Sequence, residues 1–304
     1  MKTLILAFFI LLGSPLFMGN AVAQDAEKPT EIEQPAEGET DPILPSLGTS
    51  ADDARPLRPA MNDRSVRSID DLRLQLSNGR IVQLVGIDVP RQTGYSSGDE
   101  SYAVKQFLDT LFAKSADSDV IIYQIAGSGA GKTNRMGHDL GHVVRKSGNV
   151  WVQGALIANG LAMARPTPTN PELAEKMYAL EDQARQAKLG IWADDSAHRL
   201  VEAADTIQPL DRFAVVEGTV KSVSIIRNVT YLNFGDDYRK DFTIGIPSTQ
   251  RQAMSRAGID PFKLQGQKVR VRGWLRLYNG PYIELEHPVL FQQVKNEQNS
   301  STKP

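Results

Sequence analysis

Two stretches of apolar–polar alternation, one on each side of a mainly helical middle, restrict this chain more than any other feature of it. In the first, Leu72, Leu74 and Leu76 lead into Asn78-Gly79, and Ile81 or Val82, Leu84 and Ile87 follow. Alternation places every second side chain on one face of a strand, and Asn-Gly supplies the positive-φ turn that a tight hairpin requires. In the second, residues 215–223, 231–234, 242–246, 269–277 and 282–285 alternate in the same way, with a helical segment at 250–257 between the third and fourth. The chain is therefore expected to be β-rich, with two separate sets of strands.

The middle has a different period. Ala103, Phe107 and Leu111 fall on one helical stripe, with Val104 and Leu108 beside it. Residues 120–125 and 142–145 read as strands, and 151–159 as a short buried helix closed by Gly160. Asn170-Pro171-Glu172 has the composition of a helix start, with a cap, a proline at the first helical position and an early acid; this helix is expected to run to about Lys188 and stop at Gly190. Strands, helix, strands, helix, helix over 68–192 suit a small barrel with helices packed on it. Domain bounds of 66–200 and 205–294 follow, with a short linker near 205–210.

The 304 residues are enough for two modest cores. Lys2, the apolar run from Leu4 to Phe17 and Ala21-Val22-Ala23 form the pattern of a secretory signal over 1–23. The run is short and interrupted by Gly13, Ser14 and Pro15, which argues against a membrane anchor, so no span is expected once the signal is removed. A secreted or periplasmic protein is the expectation. The absence of cysteine excludes disulfides and a lipid anchor on cysteine. Acids and prolines crowd 24–65, which reads as a disordered linker, and 295–304 as a disordered tail. The net charge of −2 argues mildly against a strong overall grip on a phosphate backbone.

Four separated blocks carry a resemblance. Val82-Gln83-Leu84-Val85-Gly86-Ile87-Asp88-Val89-Pro90-Arg91 resembles the V-R-L-x-G-I-D-A-P-E block of the staphylococcal nuclease (thermonuclease) family. Asn134 to Leu140 resembles that family's D-R-Y-G-R-x-L turn, Asn149 to Ala162 its V-N-x-x-L-V-x-x-G-L-A helix, and Glu181 to Trp192 its E-x-x-A-R-x-x-x-x-G-L-W terminus. The resemblance implies an OB-like barrel with packed helices. It also implies calcium-dependent phosphodiester cleavage in DNA or RNA by two aspartates, a carbonyl, a glutamate and two arginines.

The chemistry departs from that pattern while the apolar frame is kept. Gln83 stands at the first arginine, His138 at the second, and Arg91 at the glutamate. The hairpin register puts Leu72 at one metal aspartate; sliding by one would recruit Asp71 but turn the side chain to the other face. Asp88 alone matches a metal ligand, and one carboxylate with the Val89 carbonyl is a poor site for an ion that takes six to eight oxygens. Gln83 lacks the charged fork that grips phosphate, and Arg91 cannot act as a base. A degenerate site is expected, with no cofactor, or Ca2+ if the family site still functions. Asp88 could instead serve its own loop, and Arg73, Arg91 and Arg135 could form a new phosphate-binding cluster.

The second set of strands has the order of an OB-fold, so a second barrel is expected. With Val269, Val271, Leu275 and Leu277 facing its core, Arg270, Arg272, Trp274, Arg276 and Tyr278 share the other face, joined by Tyr231. Charge for a backbone and rings for bases suit single-stranded nucleic acid. A solvated ladder pairing Arg276 with Glu284 and Trp274 with Glu286 reads the same residues equally well.

Two motifs carry less. The stretch from Ala126 to Thr133 fits a relaxed P-loop but is followed by glycines rather than a helix. His138 and His142 have helical zinc spacing, yet Gly137 and Gly141 oppose a helix and no third ligand is near. The reading is a thermonuclease-like pseudoenzyme that binds single-stranded nucleic acid, against the alternatives of a weak metal-dependent nuclease and an interaction module for an envelope protein.

Overall fold

Strand β1 (Leu57–Ser68) lies beside the expected hairpin, in which β2 (Arg73–Leu76) pairs antiparallel with β3 (Ile81–Leu84) and Gly79 takes a φ of 83°. The computed structural model describes residues 41–47, 57–89, 99–113, 118–127, 129–193, 200–205 and 211–294. The chain divides into Met1–Asp41 and Pro42–Pro304, and every element below belongs to the latter.

The first lobe continues with β4 (Ile87–Asp88), α1 (Asp99–Leu111), β5 (Asp119–Ile125), β6 (Asp139–Arg145), β7 (Val150–Trp151), α2 (Val152–Ala158), β8 (Met163–Ala164) and α3 (Ala174–Gln186). Strand β1 pairs with β2 on one side and β5 on the other, and β5 pairs with β6. Strand β6 then returns to run parallel to β3, Val82 opposite Asp139 and Leu84 opposite Gly141. That last pairing links β1, β2, β3, β6 and β5 into one hydrogen-bonded circuit. Leu74, Leu76, Val82, Leu84, Val120, Ile122 and Val143, the inward residues of the alternation, are all buried in it, with Val104 and Leu108 of α1 and the whole of α2 packed against them.

The expected linker over 24–65 ends earlier than its composition indicates. Strand β1 starts at Leu57 because its backbone has a partner in β5 from Leu57–Ile125 to Arg64–Asp119. Residues before it also dock: Trp151 donates its backbone N–H to Pro45 O at 2.8 Å, Asn159 Nδ2 donates to Ile43 O at 2.7 Å, Lys176 donates to Leu47 O, and Leu47 is buried in the core. Acid and proline content identified a polar segment but not the backbone partners that lie far away in sequence. Residues 1–23 and 295–304, with the signal and tail expectations, lie outside the described residues.

The second lobe comprises β9 (Val201–Glu202), β10 (Arg212–Thr219), β11 (Ser222–Ile226), β12 (Val229–Asn233), β13 (Thr243–Ile246), α4 (Ser248–Arg256), β14 (Lys268–Leu277), β15 (Pro281–Glu284) and β16 (Phe291–Gln293). The sheet runs β11-β12-β13-β15-β14-β10-β9, with β16 also on β14. Only Val220 and Lys221 separate β10 from β11, although these strands lie far apart in the sheet order, so the sheet must curl back on itself. The curl encloses Val216, Leu232, Ile244, Val271, Leu275 and Ile283, and Met254 of α4 fills it. The lobe begins at β9, before the expected bound of 205, because Val201 pairs with Val216.

Helix α3 joins the lobes. Its Met177 and Tyr178 pack into the first core, and Ala184 joins Met163, Ile191, Trp192 and Val215 in a cluster between the two sheets. Burying the larger of these apolar side chains contributes roughly 1.5–3 kcal/mol each. The helix does not start as its sequence suggests: Leu173 is the cap, in the left-handed region with φ 61°, and makes no side-chain cap bond. Asn170 serves instead as a buried bracket, its Nδ2 donating to Gly131 O at 3.0 Å.

Candidate functional site

Asp88 sits in β4, whose pairing with β8 sets Asp88 opposite Met163. Two residues after Met163, Arg165 donates its backbone N–H to Gly86 O at 2.7 Å, so both chains are tied at the same turn. Gly86 has φ 80°, the left-handed region that favours glycine, and a methyl group there would also displace the end of the Met177 side chain. The result is an ion pair, Arg165 Nη1 to Asp88 Oδ2 at 2.7 Å, with the two side chains 34% and 26% exposed. Asp88 thus engages a residue outside its own loop. It holds a cation from a strand 77 residues away in sequence.

Arg165 also reaches the second lobe. Its guanidinium lies 4.4 Å from the Phe213 ring centroid and 6.0 Å from that of Trp274. Phe213 and Trp274 are directly opposite each other on β10 and β14. Arg165 was absent from the residues singled out by sequence. Its one signal is its place just after the Gly160-Leu161-Ala162 end of a family block, and nothing local reveals its partners.

Gln83 and His138, which the resemblance sets at two arginine positions, share a polar cluster with Asn134. Asn134 Nδ2 donates to Gln83 Oε1 at 2.8 Å and lies 3.3 Å from His138 Nδ1, while Asn134 Oδ1 accepts the backbone N–H groups of Met136 and His138. Gln83 and His138 are therefore brought together by a third residue, Asn134. Arg73 faces Gln83 across the β2–β3 pair but is held by Asp70 through contacts at 2.5 and 2.7 Å. Burial raises the Asp70 carboxyl, yet the hydrogen bonds and charge of Arg73 outweigh it and hold the pKa below the ordinary value. Arg91, expected at the glutamate position, lies outside the described residues.

This donor set does not fit calcium. Asp88 already has a guanidinium at hydrogen-bond distance, Leu72 offers no ligand, and Asp71, buried at 2% exposure, accepts from Ser101 at 2.5 Å. No three carboxylate or imidazole groups converge among the described residues. Calcium needs several oxygens aimed at one point, and of these two carboxylates one already meets a guanidinium and the other a hydroxyl.

The other sequence candidates resolve in different ways. Thr133 bridges to Asp139 and the chain turns back into β6, so no helix follows the glycine-rich loop and a nucleotide phosphate would lack a helix N-terminus. His142 is buried beside Trp151, whose Nε1 donates to its Nδ1 at 3.3 Å. Burial without a counter-charge drives its pKa down to about 3. It is a core histidine, and His138 lies apart from it in a turn.

The face expected to carry Arg270, Arg272, Trp274, Arg276, Tyr278 and Tyr231 exists as an alternating face, but its β14 part is split. Arg270 and Arg272 are 6% and 1% exposed, covered by α3. Arg272 Nη2 meets Glu181 Oε2 at 2.5 Å and its guanidinium lies 4.2 Å over the Tyr178 ring; Arg270 binds Glu217 at 2.5 Å and Asp182 at 2.8 Å. Burial lowers the pKa of Arg272, but the Glu181 charge prevails and holds it above the ordinary value. These two arginines belong to the lobe interface and are not available to a ligand. Alternation placed them on one face correctly; it could not show that a helix from the other lobe covers that face.

Trp274, Tyr278 and Arg276 remain open, the first two 50% and 59% exposed. Arg276 pairs with Glu284 at 3.2 Å, as the ladder reading expected, but the register is two residues tighter, with Arg276 opposite Tyr282. Tyr278 turns back through its N–H to Gly280 O at 2.8 Å, which shortens the hairpin. Its ring lies 5.3 Å from that of Tyr282, whose hydroxyl covers Gly245 beside Tyr231. Leu277, expected in the core, is 68% exposed.

Residues 81–194 match the family model described as staphylococcal nuclease homologue. The match runs from β3 to just past Trp192, and so includes Gln83, Asp88, His138, Arg165 and Glu181 but not the second lobe. No curated protein matches the chain.

Proposed function

We propose that this chain is a secreted or periplasmic, nuclease-like protein that binds single-stranded nucleic acid and no longer hydrolyses it efficiently, its second lobe being an OB-type barrel. The observation that carries this reading is the Asp88–Arg165 pair. The single carboxylate matching a family metal ligand is engaged by an internal guanidinium, and a charged pair at 2.7 Å must be broken before a metal can use that oxygen. The Gln83–Asn134–His138 cluster, which holds no arginine, supports it: loss of one charge-stabilising group commonly costs about a hundredfold in rate. Open rings at Trp274 and Tyr278 beside guanidiniums favour bases and backbone as ligand.

The test is digestion of single- and double-stranded DNA and RNA with calcium supplied or chelated, alongside retention of oligonucleotides at graded salt. The expected result is retention that weakens with salt and no calcium-stimulated cleavage. Calcium-stimulated cleavage that disappears in Asp88→Ala would overturn the reading.

A further inference from the structure

We infer that the junction of the two lobes is a binding site for one nucleotide unit of single-stranded nucleic acid, with Arg165 as its phosphate ligand, Trp274 as its base platform and Asp88 as the internal competitor for the guanidinium. The inference rests on the nucleic-acid reading above. It deepens that reading by moving the contact from the second lobe alone to a place built by both.

The geometry has three parts. Arg165 is fixed at its backbone by Gly86 O and oriented by Phe213 at 4.4 Å, so only its outer atoms are free to exchange partners. A third of that side chain is solvent-exposed, so a ligand has access to it. Trp274, half exposed and 6.0 Å from the guanidinium, offers a flat face within one nucleotide's reach of the charge. Arg165 lies over one side of the Trp274 ring, and the half of Trp274 that is exposed leaves surface for a base beside that charge, the pairing that a phosphate and its base require together.

Asp88 makes the site conditional. A partly exposed ion pair is only weakly stabilising, so the exchange of a carboxylate for a phosphate on Arg165 is inexpensive. The same carboxylate repels an arriving phosphate. Binding at this junction is therefore limited by an acidic residue of the protein itself, the opposite of the role an aspartate has when it holds a metal.

Single-stranded ligand follows from Trp274. A paired and stacked base cannot offer its face to a protein ring, whereas an unpaired one can. The nearby Arg276, paired with Glu284 at 3.2 Å and lying over Tyr282, is a second partly exposed guanidinium at this end of the sheet.

The experiment uses the full chain in chelator and a fluorescent oligothymidylate of about 12 nucleotides, within the span of one OB-type site. Affinity is read across a salt series, with the matching duplex as comparison and a thermal melt of each variant to confirm folding. Wild type is expected to prefer the single strand. Trp274→Ala should lose about tenfold or more, Arg165→Gln should weaken binding and reduce the salt slope by about one, and Asp88→Asn should tighten binding about threefold to tenfold. If wild type binds and Asp88→Asn is unchanged or weaker, or Arg165→Gln is unchanged, the junction site is wrong while the broader reading stands. If wild type retains no oligonucleotide even at low salt, both fall.

Discussion

Two carboxylate–arginine pairs lie within one stretch of this molecule, and they differ chiefly in access to water. Arg272 and Glu181 are sealed between α3 and β14 at 1% and 0% exposure, whereas Arg165 and Asp88 are 34% and 26% exposed at the rim of the same interface. Glu181 is fully engaged, its Oε1 accepting from Ala164 N at 2.8 Å while Oε2 holds Arg272. A sealed pair roughly cancels its own desolvation and cannot change partner, so it fixes how the lobes meet. An open pair adds little stability and can change partner, so it can serve a ligand. Like residues thus have a structural role in one place and, on the proposed reading, a binding role in the other.

The largest expected effect breaks the sealed pair. Glu181→Ala or Arg272→Ala leaves a buried charge without its counterion and should destabilise by about 3–5 kcal/mol in denaturant titration. The joint replacement Glu181→Leu with Arg272→Met should recover most of that loss. Recovery would place the cost in the orphaned charge rather than in lost packing.

A second effect comes from a buried group with no counter-charge at all. His142 in the folded state titrates near 3, below its unfolded value of 6.5, so the unfolded chain takes up a proton that the folded chain refuses. Stability should be unaffected by this group above about pH 6.5 and fall by roughly 1.4 kcal/mol per unit as pH drops below it toward 3. Replacing His142 by Gln should flatten that part of a stability–pH curve, because glutamine does not titrate.

A smaller effect probes the other side of the interface. Glu217 is pushed up by burial but held below the usual carboxylate range by Lys268 and Arg270, so it favours the folded state above its unfolded pKa and loses that contribution as pH falls through the folded value. Glu217→Gln should therefore reduce stability at neutral pH and lessen the acid sensitivity between those two values, as read by thermal melts over a pH series.

Much of this arrangement is legible in the chain. The Asn78-Gly79 hairpin, the buried helix ending at Gly160, and most strands of the second lobe with α4 in its expected place follow from local period and turn chemistry, whereas the strand expected over 215–223 divides into β10 and β11, and β9 and β16 lie outside the expected set. The departures of Gln83 and His138 from the pattern the chain resembles are read from the sequence as well, since comparing residue types needs no coordinates. What covers a face is not legible. Arg270, Arg272 and Trp274 alternate on one strand face, and only the docking of α3 decides that two are interior and the third is open. Arg165 is illegible for the same reason, because its partners Asp88, Phe213 and Trp274 come from three distant strands.

The most direct test measures two properties of a single variant, Asp88→Asn, in chelator. An open, exchangeable pair predicts that stability changes by about 1 kcal/mol or less while affinity for a single-stranded oligonucleotide rises. A stability loss on the scale of Glu181→Ala, or a fall in affinity, would contradict the contrast between the two pairs and with it the role given to Arg165.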